Sequence, residues 1–412
     1  MGTNSTEAPL RKLMGPGPLD IHPRVYRALT SPVIGHMDPA YFKTLDQIGD
    51  RLRRVFQTQN RLTHATPGTG TSGMEACVAN LIEPGDPVLI CVHGYFGDRL
   101  RQMAERQEAD VTVIEGEWGR PTDPQQIKEA FQSKDYKVMA LVHAETSTGV
   151  QQPMDDIVRL AREYDTMVVL DTVTSLGGVE IKVDEWGLDA AYSCSQKCIG
   201  APPGLAPVTF SDRAIEAARN RKHPIRSWYL DITLLDRYWG AAPRVYHHTS
   251  SSTLNYALLE ALLLIEEEGL QNRFKRHLKN HQALVAGVEA MGLEMLVKPE
   301  HRLPTLNTIR VPDGVNEAEV RGYLLQTFNL EIGAGLGSLA GQVWRVGLMG
   351  YSSSAENVLF FLSAISRALA VQVFQGFQDL LDPVQRLRFR QGPATFEHLI
   401  QVFAFDEVHH QV

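Results

Sequence analysis

The segment that decides the fold is Met167–Gly200, with the sequence MVVLDTVTSLGGVEIKVDEWGLDAAYSCSQKCIG. Two apolar runs in it, Met167–Leu170 and Ala190–Ser193, predict buried β-strands. Polar residues follow each run, with Asp171 after the first and Lys197 shortly after the second. Because ligands bind at the carboxyl ends of strands in open α/β sheets, we expect Asp171 and Lys197 to face a common ligand.

Short apolar runs on both sides of this segment predict the rest of a sheet. The further predicted strands are Val88–Val92, Val111–Ile114, Val138–Val142 and Pro207–Phe210, and the predicted helices between strands include Pro124–Phe131 and Asp155–Tyr164. Strands that alternate with helices favour a largely parallel sheet covered on both faces. The sequence therefore predicts an α/β fold.

The second half of the chain predicts a smaller α/β unit. A long helical stretch, 254–291, is expected to bend near Gly269. After it come a predicted strand at Thr305–Val311, a helix at Glu317–Phe328, a strand at Val343–Val346 and a helix at Ser354–Ala370. We therefore expect an N-terminal arm (1–25), a large domain (26–265), a small domain (266–371) and a C-terminal extension (372–412) whose role stays open.

Composition and charge exclude several classes of protein. The 412 residues carry 40 Lys and Arg against 48 Asp and Glu, a net charge of −8 without a basic cluster, so no nucleic-acid partner is expected. No apolar run approaches the ~20 residues of a membrane span, and the N-terminal residues lack the apolar core of a secretory signal. Four cysteines without CxxC spacing favour a reducing, cytoplasmic compartment.

The pair Asp171 and Lys197 predicts a pyridoxal 5'-phosphate site. A lysine amine can form a Schiff base with the aldehyde of this cofactor. A carboxylate can pair with its protonated pyridine nitrogen and keep the ring an electron sink. For either residue alone, a solvated lysine or a turn-capping aspartate is the more common explanation. The two at the ends of core strands favour the cofactor.

A glycine-rich turn at 66–82, TPGTGTSGMEACVANLI, predicts a phosphate-binding site. Its glycines and hydroxyls precede a helix, whose N-terminus attracts anions. Gly68, Gly70 and Gly73 also match the dinucleotide pattern GxGxxG. That alternative needs a preceding buried strand and a later acid. The preceding run RLTHATP is polar, so we expect no strand there, and Asp86 comes too early.

Several other positions are candidates for the same site. Phe96 follows a predicted strand, where an aromatic ring can stack on a planar cofactor. The run HAETSTG, 143–149, supplies hydroxyls after another strand. Arg345 lies within an apolar strand and needs an anionic partner, which a substrate carboxylate would provide. The adjacent His247 and His248 are expected to point to opposite faces of a strand, so we predict no metal site.

Together these segments resemble the alanine–glyoxylate / serine–pyruvate aminotransferase family, class V of the fold type I pyridoxal-phosphate enzymes. The motifs in the family's order are GPGP, GTGTSGMEA, GYFGDR, HAETSTGV, DTVTSLGG, SQK, PPG, WYLD, YWG, YHHT, LPTLNTIRVP, EIGAGLG and WRVGLMG. The resemblance extends from Leu13 to about residue 370. It implies a large domain with a mostly parallel seven-stranded sheet and a smaller C-terminal α/β domain.

The resemblance also implies roles for individual residues. Lys197 is similar to the Schiff-base lysine, Asp171 to the pyridine-nitrogen partner and Arg345 to the carboxylate-binding arginine. The implied cofactor-binding residues are Thr69, Gly70, Thr71, Phe96, Thr146, Asp171, Val173, Gln196, Lys197, Tyr246 and Thr249. Tyr246 and Thr249 match residues that reach the phosphate in the neighbouring subunit, which implies a homodimer with shared active sites. Three serines, 250–252, replace the apolar residues usual there.

The implied activity is transamination of a small amino acid, alanine or serine, with glyoxylate as acceptor, giving glycine and a 2-oxo acid. Serine–pyruvate or serine–glyoxylate transamination is the nearest alternative. Desulfuration would need a cysteine near residues 310–345, and none occurs there. Kynureninase-type hydrolysis and a non-catalytic subunit are weaker alternatives. Lys197 and Asp171, both present, oppose a non-catalytic subunit.

Overall fold

The computed structural model describes residues 8–240 and 243–380, with side chains through residue 372. The predicted C-terminal extension (372–412) lies outside the described residues from residue 381 onward, as do the first seven residues of the predicted arm. No helix within 8–240 and 243–380 is both long and apolar enough to cross a membrane.

Strands and helices alternate along most of the chain. The strands are β1 (Lys12–Leu13), β2 (Leu62–Pro67), β3 (Pro87–Val92), β4 (Asp110–Glu115), β5 (Val138–Val142), β6 (Ala144–Glu145), β7 (Val150–Gln151), β8 (Met167–Asp171), β9 (Ala190–Tyr192), β10 (Leu205–Phe210), β11 (Leu306–Arg310), β12 (Leu330–Glu331), β13 (Gly333–Ala334) and β14 (Val343–Gly347). The helices are α1 (Pro23–Leu29), α2 (Pro39–Phe56), α3 (Gly70–Leu81), α4 (Tyr95–Arg106), α5 (Pro124–Ser133), α6 (Asp155–Glu163), α7 (Val183–Trp186), α8 (Asp212–Arg219), α9 (Ile232–Trp239), α10 (Ser252–Glu268), α11 (Leu270–Ala290), α12 (Glu317–Phe328) and α13 (Ala355–Leu380). Short 3₁₀ turns occur at Pro299–His301, Gly337–Leu339 and Gly350–Ser352.

Within the described residues the large sheet has seven strands in the order β2-β10-β9-β8-β5-β3-β4. All neighbouring pairs are parallel except those that involve β10, which is antiparallel to both β2 and β9. The sheet is therefore mostly parallel, as predicted. Alternate residues of β3, such as Leu89 and Ile90, belong to two separate hydrophobic clusters, one on each face. Helices cover both faces of the sheet, so the ends of its strands are the part that can bind a ligand.

Strand β2 corrects one expectation, because the polar run before the glycine-rich turn is a buried strand. Its polar side chains are satisfied inside the sheet, where Thr63 Oγ1 lies 2.8 Å from Thr209 Oγ1 and Thr66 Oγ1 lies 3.1 Å from His64 Nε2. One argument against a dinucleotide site is thus wrong. The other remains, since Asp86 precedes β3.

The smaller sheet contains β11, β14 and β13. A separate hydrophobic cluster packs beside it, with Trp344 and Phe361 fully buried. The N-terminal arm joins this part of the chain, because β1 pairs with β12 and the Gly347 N–H donates to the Met14 carbonyl at 2.8 Å. The arm is therefore attached to the part of the chain that forms the smaller sheet.

The long helical stretch breaks where it is predicted to break. Helix α10 ends at Glu268 and α11 begins at Leu270, with Gly269 between them at φ +78°. A positive φ favours glycine, which explains why the bend falls at this residue. The last helix differs from its prediction, since α13 runs past Ala370 to Leu380. No proline occurs in that stretch to end it earlier.

Candidate active site

The predicted site residues gather at one edge of the large sheet. Strands β2, β3, β5, β8 and β9 run in the same direction, so their carboxyl ends meet at that edge. Gly70, Phe96, Thr146 and Lys197 come after β2, β3, β5 and β9, and Asp171 is the last residue of β8. Residues more than 100 positions apart in the chain thus become neighbours because of the sheet topology.

Asp171 ends β8 as a buried carboxylate, with 2% of its surface exposed. Its Oδ1 accepts the Val173 N–H at 2.8 Å, and its Oδ2 accepts the Tyr192 hydroxyl at 2.7 Å. Burial raises the pKa of Asp171 to about 7, while the two hydrogen bonds lower it. Among the described residues no basic side chain forms an ion pair with it. A buried carboxylate of this kind is stabilised by a cationic ligand.

Lys197 follows β9 and is also buried. Burial lowers the pKa of its amine, and the charge of Arg345 lowers it further. A lowered pKa increases the fraction of neutral, nucleophilic amine. Gly17 in the arm lies against this side chain, since a Cβ at that position would be 2.7 Å from Lys197 Cδ and 2.9 Å from Nζ. The arm therefore limits the space around the amine.

The turn between β2 and α3 forms the predicted phosphate-binding element. Thr69 is the N-cap of α3, and no side chain caps the helix. Its first N–H groups, at Gly70 and Thr71, face no capping oxygen and are free for an anion. A Cβ at Gly70 would lie 3.0 Å from Val173 Cγ2, so the turn packs directly against the residues that follow β8. Nearby in sequence to Lys197, the Gln196 Oε1 is buried without a partner.

Phe96 lies in the first turn of α4, and a buried carboxylate holds this helix end in place. Glu145 Oε2 accepts the backbone N–H of Phe96 at 3.2 Å and that of Gly97 at 3.3 Å, while its Oε1 accepts the Ser147 hydroxyl at 2.6 Å. Gly94 makes room for this contact, because a Cβ there would be 2.3 Å from Glu145 Cγ. The backbone of Phe96 is thereby held beside the sheet edge.

Arg345 is the predicted carboxylate-binding residue and lies on β14 with 5% of its surface exposed. Its guanidinium donates from Nε to the Ala334 carbonyl at 2.6 Å and from Nη1 to the Thr146 carbonyl at 3.0 Å. The Thr146 hydroxyl in turn hydrogen-bonds that of Thr174. No carboxylate within the described part of the chain pairs with Arg345. Burial lowers the pKa of Arg345 to about 10, so it stays a cation at neutral pH.

The structure does not bring Tyr246 and Thr249 to this edge within one chain. Both are exposed, and the Tyr246 ring lies 5.1 Å from that of His36. The neighbouring histidines correct a further expectation. His247 and His248 lie in a loop, not a strand, and their Nδ1 atoms are 2.8 Å apart instead of pointing to opposite faces. The period-2 rule does not apply here because these residues belong to no strand.

Two contributors to the site were left without a role by the sequence, and for a third, Gly17 in the arm, the contact with the lysine was not predicted. Tyr192 is the residue paired with Asp171 across β8 and β9, and its position at the end of a predicted strand could have indicated this contact. Glu145 occurs in a motif that the sequence singles out, but its caps on α4 depend on folding. Gly17 contacts Lys197 through a segment 180 positions earlier.

Pyridoxal phosphate fits these residues. Asp171 is a buried acid in need of a cation, Lys197 is a buried amine with a lowered pKa, and the α3 turn offers unpaired N–H groups. The unpartnered Gln196 Oε1 marks a polar space beside the lysine. A mostly parallel seven-stranded sheet with this edge defines a pyridoxal-phosphate-dependent enzyme of fold type I.

Comparisons with known proteins narrow the class to a family. The family model for aminotransferase class-V matches residues 26–359. The chain therefore belongs to the class-V aminotransferases, and it is a pyridoxal-phosphate-dependent transaminase.

Relatives in sequence and in structure agree with this assignment. An alanine–glyoxylate aminotransferase of Drosophila melanogaster is 42% identical over 88% of this chain and 93% of its own. A (S)-ureidoglycine–glyoxylate transaminase of Bacillus subtilis is 40% identical over 88% and 91%. The crystal structure of an alanine–glyoxylate aminotransferase from Nostoc sp. superposes with a TM-score of 0.88 and 49% identity, covering 90% of this chain and 98% of that one.

Proposed function

We propose that this transaminase moves the amino group of a small amino acid, alanine or serine, to glyoxylate, giving glycine and a 2-oxo acid. The relatives from Drosophila and Bacillus differ in the amino donor that their names give. Glyoxylate occurs in both names and in that of the Nostoc structure. The acceptor is therefore the better supported half of the proposal.

The observation that carries the proposal is Arg345, a buried guanidinium that has backbone carbonyls and no carboxylate as its described partners. A buried cation of this kind is stabilised by an anion that binds there. Amino acids and 2-oxo acids both carry a carboxylate next to the reacting carbon. Arg345 can bind that group through paired N–H donors and so orient either substrate in the same way.

Lys197 is assigned the proton transfer. Bound pyridoxal phosphate supplies an aldehyde that condenses with amines and a ring that delocalises the electron pair left at the substrate α-carbon. The Nζ of Lys197, with its lowered pKa, can accept the proton of the substrate α-carbon. It can then return that proton to the cofactor carbon that carried the aldehyde. Gly17 keeps the amine within a small space while it does so.

Asp171 is assigned to the ring nitrogen. Its buried carboxylate would accept a hydrogen bond from that nitrogen while Val173 and Tyr192 hold the two oxygens in orientation. A cationic ligand would also lower the pKa of Asp171 from about 7, so that the carboxylate ionises as the ligand binds. Thr69, Gly70, Thr71 and Gln196 are assigned to the phosphate, and Phe96 to the face of the ring.

A second donor is favoured by one observation. The Bacillus relative, named for (S)-ureidoglycine, is similar to this chain over the same share of its length as the Drosophila relative. Both donors present a carboxylate to Arg345, so that contact does not distinguish them. (S)-ureidoglycine is therefore the second candidate for the amino donor.

We also propose a homodimer whose active sites draw on both subunits. Tyr246 is 56% exposed, and the neighbouring Trp228, 63% exposed, stacks on His247 at 4.6 Å. An exposed aromatic patch of this kind is typical of protein interfaces. A second copy would cover it and bring Tyr246 and Thr249 to the partner's phosphate site.

All four cysteines are free and buried, which supports a reducing, cytoplasmic compartment.

We further propose that the boundary between the large and the small domain lies after residue 265, as the sequence predicts. The last buried residue of α10 in the large-sheet core is Ile265, whereas the small-sheet core begins on α11 at Leu284.

An amino-donor panel tests the proposed reaction. The purified enzyme is incubated with glyoxylate and alanine, serine or (S)-ureidoglycine, and glycine formation is measured. Serine and (S)-ureidoglycine are also tested with pyruvate by alanine formation, whereas alanine is not, because its products with pyruvate equal its substrates. We expect glyoxylate to yield glycine with alanine or serine at higher kcat/KM than any reaction with pyruvate as acceptor. The proposal is wrong if no donor converts glyoxylate to glycine, and a preference for (S)-ureidoglycine would select the second candidate.

A further inference from the structure

Arg99 contacts both the turn between β2 and α3 and the ring of Phe96. It lies in the first turns of α4, four residues after Tyr95. Its Nη1 donates a 3.1 Å hydrogen bond to Thr71 Oγ1 in the phosphate-binding turn. Its guanidinium carbon also lies 4.9 Å from the centre of the Phe96 ring and 5.4 Å from that of Tyr95.

The positive charge of Arg99 is not neutralised by any residue that the structure describes. Within the described residues no carboxylate forms an ion pair with it. The acid beside it in sequence, Asp98, is paired instead with Arg101 at 2.6 Å and with Gln102. Arg99 is half-buried, so its charge is less screened than that of a solvated arginine. An anion at the α3 turn would be the nearest group able to balance it.

The hydrogen bond to Thr71 also fixes the direction of a hydroxyl. A threonine hydroxyl has one proton to donate, and Thr71 Oγ1 already accepts from the guanidinium. The hydroxyl proton is therefore turned away from Arg99 and is free for another acceptor. Because Thr71 is in the first turn of α3, that acceptor can be the same anion that the helix N–H groups bind.

We propose that Arg99 is a positioning residue for the phosphate of the cofactor. It orients the Thr71 hydroxyl as a donor, adds positive charge beside the α3 turn and holds the Phe96 ring by a cation–π contact. The inference rests on the proposed assignment of Thr71 to the phosphate. The ligand chemistry is a phosphate monoester dianion, which distinguishes this role from general support of the ring.

The test compares a cofactor with its phosphate and the same ring without it. The dissociation constants of pyridoxal phosphate and pyridoxal are measured by visible absorbance titration of the apoenzyme in three variants: Arg99→Met, Arg99→Lys and Arg101→Met. Arg101→Met is the matched control, since Arg101 lies on the same helix and pairs with Asp98 and Glu105 on the surface.

We expect Arg99→Met to raise the dissociation constant of pyridoxal phosphate about 10-fold or more, which is the effect of losing a charge-assisted hydrogen bond. The dissociation constant of pyridoxal should rise less than about 3-fold. Arg99→Lys keeps the charge and should therefore lose less affinity for pyridoxal phosphate. Arg101→Met should bind both ligands as tightly as the wild type. Equal weakening of both ligands would overturn the proposal, because Arg99 would then act on the ring alone. Unchanged binding of pyridoxal phosphate would overturn it as well.

A double-mutant cycle supplies the second readout. If Arg99 acts through Thr71, the effects of Arg99→Met and Thr71→Val on pyridoxal phosphate binding are less than additive. Strict additivity would overturn that part of the proposal. Failure of the proposed function itself is distinguishable, because the wild-type enzyme would then form no glycine from glyoxylate while the binding of pyridoxal phosphate still depended on Arg99.

Discussion

The Tyr192 hydroxyl donates a 2.7 Å hydrogen bond to Oδ2 of Asp171, and the two residues are directly paired across strands β8 and β9. Both side chains are fully enclosed, so this bond is not exchanged with water. The hydroxyl opposes the effect of burial on the carboxyl, because a donor stabilises its ionised form. The ionisation state of Asp171 thus depends on a tyrosine that is itself fully buried.

The first prediction concerns the variant Tyr192→Phe. Loss of the donor raises the pKa of Asp171 further above its usual range, so the carboxylate is protonated at a higher pH. The acid limb of kcat/KM should therefore move upward by roughly one to two pH units, since a hydrogen bond to a charged group contributes about 1.5–3 kcal/mol. A pH profile of both enzymes measures this shift. An unchanged acid limb would show that Asp171 does not control activity.

The second prediction concerns Gly17→Ala. Gly17 has φ +106°, and the new methyl group would lie 2.7–2.9 Å from the Lys197 side chain. We expect kcat to fall about 10-fold or more, because a strained backbone and a displaced lysine together cost on the order of 1–3 kcal/mol. Steady-state kinetics measure the effect.

Gly314→Ala is the control for that variant. Gly314 also has a positive φ, of +78°, but a Cβ there would meet nothing within 4 Å. It should therefore lose stability without losing kcat. Equal kinetic losses in the two variants would mean that backbone strain, and not the contact with Lys197, explains the result.

The third prediction concerns substrate binding by Arg345. Arg345→Gln should raise KM for the amino donor and for glyoxylate by about 10- to 100-fold, since the charge-assisted pair with the carboxylate is lost. Arg345→Lys should recover part of the loss, because it keeps the charge without the planar fork. Arg321→Gln, which breaks an ion pair with Glu317 on α12, is the control and should leave KM unchanged. Normal KM in Arg345→Gln would contradict the assignment.

The sequence predicts much of the sheet because its strands are short apolar runs that end in polar residues. Strands β3, β5 and β8 all lie where their apolar runs predict them. Strand β2 was missed because Thr63 and Thr66 are buried through hydrogen bonds, which composition does not reveal. Tyr192 and Arg99 were not assigned roles for a similar reason. Their partners lie on other helices and strands, so these contacts form only when the chain folds.

The fourth prediction concerns a shared active site. If Tyr246 serves the partner's site, Lys197→Ala and Tyr246→Ala should each lower activity, and dimers formed from one chain of each should contain one intact site. Mixing and refolding equal amounts should restore about a quarter of the wild-type activity, as half of randomly paired dimers are mixed. Sedimentation of the mixture verifies the dimer. No recovery in verified mixed dimers would contradict a shared site.

The central claim is that Lys197 holds the cofactor, and borohydride reduction tests it most directly. Reduction fixes the cofactor to the lysine that carries it, and peptide mass spectrometry then locates the added mass. Lys197 is the buried lysine among the residues that follow β9, with a pKa lowered by burial. We expect the added mass on Lys197 and its absence from the variant Lys197→Ala. Label on another lysine of the wild type, or the same label in the variant, would contradict it.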